Sequence, residues 1–374
     1  MEALTAGQGI GEDRPMTYNV FTDFHHASLL NSLIMLFEKR LGGQVYRPIG
    51  TEWFERGFWK IYDHPATVEQ FLGINGATPD GSPPVNNIAA YTGSEDFFYC
   101  NDIDSGMTNK AITYNGFMNM DIDIVIASIP AHIEPFARLC ELHPNHPKLI
   151  YQIGNNWNVP PGVPVKNVMA SAIIRDPIPG GTHFVPYHQE FDLQIFNPVD
   201  MVAHPIPGSD IKSFVNCFSI DGLFANDWQL FQHVEKRMPT WTFRAHGGQC
   251  RDGAIGPSNK LAGEMRQSKF IWHTKQGGDG YGHVIYNSAA VGRPLITKIG
   301  YYVDKMGKEL MIDGETCIGI DGLDAEQVAN KIIHYSSDHV RYTQMCKNVQ
   351  ANFKKCVDFD SEFTSLQQFL QNLL

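Results

Sequence analysis

The segment from Gly278 to Ile296 constrains this chain more than any other. Glycines at 278, 280 and 282 lack a Cβ and let the backbone come close to a ligand. Residues 283–291 carry apolar residues and alanines without a breaker, until Gly292-Arg293-Pro294 stops the helix and Leu295-Ile296 opens a buried strand. The order is therefore loop, helix N-terminus, strand. Unpaired N–H groups and the positive end of the helix dipole make such a junction an anion cradle, and flanking glycines let a diphosphate reach it. Asp279 and Asn287 stand eight positions apart, one in the loop and one about a turn into the helix. Both can accept hydrogen bonds from sugar or ribose hydroxyls.

At 374 residues the chain exceeds what one core usually supports, so two domains are expected. No run approaches 18 apolar residues, and the first 15 positions have no apolar stretch. Neither a membrane span nor a secretory signal is expected, and the cytoplasm follows as the expected compartment. Seven scattered cysteines with no C-x-x-C pair argue against a disulfide framework or a zinc knuckle. A net charge of -11 disfavours general attraction to nucleic acid.

Strands and helices alternate as in parallel sheets. Strands are expected at 18–23, from 44, at 122–128, 148–152 and 165–170, with helices at 27–41 and 134–142. Residues 73–118 are rich in Gly, Pro and Asn and read as an insertion or acceptor-side loop. The pattern restarts after a Pro-containing linker at 198–210: strand 213–218, helix 227–237, strand 241–245, helix 259–265 and strand 270–272. A last helix, capped by Asp360-Ser361, carries apolar residues at 363, 366, 369, 370, 373 and 374. The expected fold is α/β, with two Rossmann-like domains facing across a cleft. Residues 1–15 are expected as a flexible extension, 16–205 as the first domain, 206–358 as the second and 359–374 as the final helix.

The 279–294 block resembles the donor-site signature of GT-B glycosyltransferases. There an acidic residue, a Gly-aromatic-Gly and a second acidic residue eight positions after the first precede a helix that ends in Gly-x-Pro. Asp279 stands at the first acidic position and Asn287 at the second. The resemblance follows the element order from 16 to 374 and is sharp from about 240 to 300. It implies transfer of a sugar from a nucleotide-diphosphate donor, such as a UDP- or GDP-sugar, to a hydroxyl acceptor. It requires no metal and no separate cofactor. Gly280, Tyr281, Gly282, His283 and Asn287 would form the donor loop, with the final helix crossing back onto the first domain.

His25 and His26 follow the first strand, at the carboxyl edge where open α/β sheets bind ligands. An imidazole there can accept the proton of an attacking hydroxyl, and in inverting members a His of this loop is the base. In retaining members a His after a later strand contacts the donor sugar, the place of His132. These three with Asp279 are the catalytic candidates, and the stereochemical outcome stays open between them. Arg244, His246 and Gly247 fall near the nucleotide by resemblance, and Arg244 can meet phosphate bidentately. The members' basic pair after the first strand of the second domain is absent at 217–222. Lys275 is the first candidate to supply that charge, with Arg251 and Lys260 as the others. Glu190 is an acceptor-side candidate or an alternative base. Asp102-x-Asp104 and Asp121-x-Asp123 spell a short metal-binding pattern, but no metal is assigned to them. A nucleotide-sugar 2-epimerase, or a catalytically silent nucleotide- or sugar-binding protein of this fold, is the alternative reading. A nucleic-acid acceptor is disfavoured by the charge.

Overall fold

The structure is a computed structural model that describes residues 17–23, 27–58, 91–94, 96–101, 108–154, 165–198, 209–220 and 222–373. Two sheets organise it. The first has nine strands: β1 (Asn19–Thr22), β2 (Gln44–Pro48), β3 (Tyr91–Ser94), β4 (Phe97–Asn101), β5 (Thr108–Ile112), β6 (Ile124–Ala127), β7 (Lys148–Ile153), β8 (Asn167–Ala170) and β9 (His183–Pro186). Their order is β3-β4-β5-β2-β1-β6-β7-β8-β9. β4 runs antiparallel to β3 and β5, and the other pairs are parallel. The second sheet, wholly parallel, has the order β11-β10-β12-β13-β14. Its strands are β10 (Asp210–Ser213), β11 (Thr242–Ala245), β12 (Phe270–Trp272), β13 (Leu295–Thr297) and β14 (Cys317–Gly319).

Strands such as β6 and β12 are buried at every residue, as expected where helices cover both faces of a parallel sheet. Behind β1, Phe21 stacks on Trp53 at 4.8 Å and meets Phe117 edge-on. In the second domain Phe218, Trp228, Phe231, Phe243 and Trp272 form one aromatic core.

The helix Phe359–Gln371 leaves the second domain and packs on the first, placing Leu366, Phe369, Leu370 and Leu373 in the core with Tyr18, Val20 and Leu33. Full burial stabilises each such side chain by about 1.5–3 kcal/mol, enough to hold the helix there. Its cap lies earlier than expected: Asp358 accepts a hydrogen bond from the Ser361 N–H.

Several boundaries differ from expectation. The strand expected at 213–218 lies at Asp210–Ser213, so Phe214 and the residues after it are already past the sheet's carboxyl edge. The linker candidate, read from Pro205-Ile206-Pro207-Gly208-Ser209, runs to 210 and so takes in the first residue of this strand. The Lys212 cation is accommodated because it pairs with Glu264 at 2.6 Å. Where 73–118 reads as irregular, the structure has β3, β4, β5 and a short helix, Tyr114–Asn119, capped by Thr113. The helix expected at 27–41 is α-helical over Ala27–Ile34 and continues as a π-helical turn, Met35–Arg40. The helices Ala325–Ser337 and His339–Cys356 and strands β9 and β14 were not anticipated. Most of the linker candidate and the Asp102-x-Asp104 pattern lie outside the described residues. Asp121 and Asp123 sit at the amino end of β6. There they accept hydrogen bonds from Asn145 Nδ2 and the Asn19 N–H, at the end of the sheet away from the cleft.

Candidate functional site

Each sheet has a point where the chain's path reverses. In the first, β1 is flanked by β2 and β6; in the second, β10 is flanked by β11 and β12. Helices leave in opposite directions at such a point and open a crevice beyond the strands' carboxyl ends. The two crevices face each other here. Ser128 after β6, Phe214 and Asn216 after β10, and His273 and Lys275 after β12 line one cavity of about 240 Å³.

The glycine-rich loop enters this cavity from the second domain. Gly278 has φ +72°, and a Cβ there would stand 2.4 Å from the carbonyl oxygen of Tyr301, so no larger residue fits. Asp279 accepts a 2.8 Å hydrogen bond from His273 Nε2 and pairs with Lys275 Nζ. Burial alone would raise the Asp279 pKa, but the hydrogen bonds and charges of His273 and Lys275 outweigh it and hold the carboxyl well below the usual range. Asp279 is thus a fixed anion. His273 Nδ1 is buried and has no hydrogen-bond partner.

Beyond Asp279 the chain turns through Gly282 (φ +83°) into the helix His283–Ala290, whose N-terminus carries no side-chain cap. His283 and Val284 line the cavity. One turn on, Asn287 is buried and its Oδ1 has no partner. Tyr281 stacks face to face on Tyr286 at 4.4 Å, and its hydroxyl donates to the backbone carbonyl of Gln189 in the first domain. His283 Nε2 meets Gln189 Oε1 at 2.6 Å. The glycine-rich loop is therefore also a contact between the domains.

Of the candidates read from sequence, Lys275, Asp279, Gly280, Tyr281, Gly282 and His283 come together at this cavity. His25 and His26 lie outside the described residues. His132 does not line the cavity. It is buried behind Ser128, with Nδ1 2.8 Å from Asp23 Oδ2, and Asp23 also accepts the Ser128 N–H. Glu190 points away from the cleft into a three-bond contact with Arg40, and it lines a separate cavity of about 520 Å³. Arg244 is half exposed and tied to Asp252, and His246 stacks on Phe214. Neither these two nor Gly247 lines the cavity, although Asn216, which crowds Gly247, does. Arg251 is held by Glu235 and Asp252. Sequence reasoning missed Ser128, Gln152, Gln189, Asn216 and His273. Each lies at or just beyond a carboxyl strand end, and strand ends placed more accurately would have singled them out.

Two parallel-sheet α/β domains joined across a cleft at their switch points define the GT-B fold, and solved structures confirm it. The chain is similar to Anabaena HepE, crystallised in complex with UDP and glucose, at 11% identity and TM-score 0.61, over 96% of this chain and 100% of that one. It is also similar to Staphylococcus aureus TarM, in a complex that includes UDP (9%, TM-score 0.59, 95% and 100%). A third similar structure is an α-glucosyltransferase in complex with UDP and a 13-mer DNA (9%, TM-score 0.55, 95% and 100%). The sequence matches no family model and no curated protein.

Proposed function

We propose that this protein is a glycosyltransferase that moves a sugar from a nucleoside-diphosphate donor to a hydroxyl acceptor without a metal. The observation that carries this reading is Asp279. It is an ionised carboxylate held by His273 and Lys275 between a glycine loop and an uncapped helix N-terminus, inside the interdomain cavity of a GT-B fold.

In the reaction the bond from the anomeric carbon to the diphosphate oxygen breaks, and one to the acceptor oxygen forms as the acceptor gives up its proton. The helix N–H groups at 283–284 and the Lys275 ammonium would face the charge that builds on the diphosphate. Asp279 would orient sugar hydroxyls through hydrogen bonds. Asn287, whose Oδ1 has no partner, would take a ribose hydroxyl. His132, fixed by Asp23, would shape the donor-sugar end, and the acceptor's base would come from the His25 and His26 loop. Arg244 and His246 would flank the nucleotide.

HepE and TarM both hold UDP, so UDP is the first nucleotide to test. The DNA bound to the third neighbour makes a nucleic acid one acceptor to assay, against the expectation from the net charge of -11. The compartment this reading assigns is the cytoplasm, supported by six described cysteines that are all unpaired. Among the described residues no helix is long and apolar enough to cross a membrane.

The test is a thermal-shift panel with UDP, GDP, CDP, ADP and NAD on the wild type and on Asn287→Ala, followed by nucleotide release from the matching sugar donor. A nucleotide at about 100 times its dissociation constant stabilises by about 2.7 kcal/mol. One diphosphate should raise the melting temperature, and less so in the variant. No response to any of them would overturn the reading.

A further inference from the structure

The two walls of the cavity differ in charge. His273, Lys275, Asp279 and His283 all belong to the second domain, whereas the first domain contributes Leu29, Ser128, Gln152, Gly154 and Gln189. Among the described residues that line the cavity, the first-domain wall bears no charged side chain. It does bear two polar atoms without hydrogen-bond partners, Gln152 Oε1 and Ser128 Oγ, on side chains that are 0% and 4% exposed.

The orientation of the Gln152 amide follows from its neighbours. Gln189 Nε2 donates to Ser171 Oγ at 2.6 Å, and Gln189 Oε1 faces His283 Nε2. The single Ser171 proton goes to the Ile153 carbonyl, so toward Gln152 Ser171 can only accept. Gln152 Nε2 therefore donates, to Ser171 Oγ at 3.1 Å and Tyr187 Oη at 3.0 Å. This leaves Oε1 as an acceptor that needs a donor. Gly154 places no Cβ against these amides: one there would stand 3.0 Å from Gln189 Nε2 and 3.4 Å from Gln152 Oε1.

We infer that Gln152, with Ser128 beside it, reads the acceptor, and that the acceptor is an uncharged, hydroxyl-rich molecule of the sugar class. A hydroxyl can donate to Gln152 Oε1 and satisfy a buried acceptor whose isolation is costly. A phosphate or carboxylate offers only lone pairs to that oxygen, and it would find its counter-charges across the cleft, where the donor diphosphate sits. Gln189 and Ser171 are positioning residues that fix the amide. This inference rests on the glycosyl-transfer reading above.

The experiment saturates the protein with UDP, then measures binding of free glucose, galactose, mannose and N-acetylglucosamine, and of their 6-phosphates, by saturation-transfer NMR and thermal shift. Wild type, Gln152→Ala and Gly154→Ala are compared. At least one free sugar should bind more tightly than its 6-phosphate. Gln152→Ala should weaken it about tenfold, the effect of one net hydrogen bond. Gly154→Ala, whose Cβ would cover the amides, should weaken it by at least as much. Unchanged UDP binding in both variants reports that they are folded. A 6-phosphate binding better than its free sugar would overturn the inference. So would a sugar bound equally by folded wild type and variants, or no sugar bound beside UDP. Failure of UDP itself to bind falls instead on the donor-site reading.

Discussion

His188, at the carboxyl end of β9, sits between two carboxylates. Nδ1 meets Glu362 on the final helix at 2.7 Å, and Nε2 meets Glu309 of the second domain at 2.8 Å. The rings of Tyr281 and Tyr286 pack beside it. Burial alone would lower the imidazole's pKa, but the hydrogen bonds and charges of Glu309 and Glu362 outweigh it and push the pKa up to about 9. The folded state therefore binds this proton more tightly than the unfolded chain. The stabilisation is fully present below the unfolded value of 6.5 and is lost as pH rises through about 9. Linkage gives about 3 kcal/mol at pH 6.5, falling to about 1 at pH 8 and to about 0 at pH 10. Burial raises the pKa values of the Tyr281 and Tyr286 hydroxyls well above their usual range, so they lower stability as pH nears 10, but equally in wild type and variant, and the gap between the two isolates His188. The assay is urea unfolding of wild type and His188→Gln in matched buffers from pH 6.5 to pH 10. The stability gap between the two should shrink by about 3 kcal/mol over that range, most of it before pH 9. A gap that stays constant with pH would show that His188 is not held as an imidazolium between the domains.

Three further outcomes follow from the geometry. Asp279→Asn removes the anion that His273 and Lys275 hold, and turnover with the donor found in the nucleotide panel should fall about 10²-fold or more; steady-state kinetics on a variant of normal melting temperature checks this. Leu370→Ala leaves a cavity in the first-domain core where the final helix docks, and should cost about 2–5 kcal/mol in urea unfolding. Asp23→Ala strands the buried His132 Nδ1 and the Ser128 N–H. It should destabilise by about 3 kcal/mol or more, while Asp23→Asn, which keeps one acceptor, should cost less.

The loop-helix-strand order around Asp279 was legible in the sequence because its signals are local: glycines that allow close approach, a breaker-free helix and a Gly-Arg-Pro stop. The final helix was legible too, from the spacing of 366, 369, 370 and 373. Non-local features were not. β10 starts earlier than expected because the Pro205-to-Ser209 linker signal stands directly before it, and the pairing of Lys212 with Glu264 of a distant helix, which accommodates a cation in this strand, is not local. Glu190 reads as a cleft candidate because it stands in a polar, titratable run at 187–192, but Arg40, 150 positions away, turns it outward. His273 carried no signal of its own, since its role depends on a carboxylate that folds back onto it. Gln152 was hidden for a similar reason, because its free oxygen is defined only by Ser171, Gln189 and Tyr187 around it.

The path of the final helix also bears on how the protein is made. As the chain leaves the ribosome, strands β10 to β14 and their helices emerge before the helix Phe359–Gln371, so the second domain can close its core while the first still lacks a wall. Until that helix arrives, apolar side chains around Tyr18, Val20 and Leu33 remain uncovered. The first domain to be synthesised is thus the last to be finished. Nascent chains arrested before residue 359 are expected to show a protease-resistant second domain beside a protease-sensitive first one, a contrast that should vanish once the helix is released.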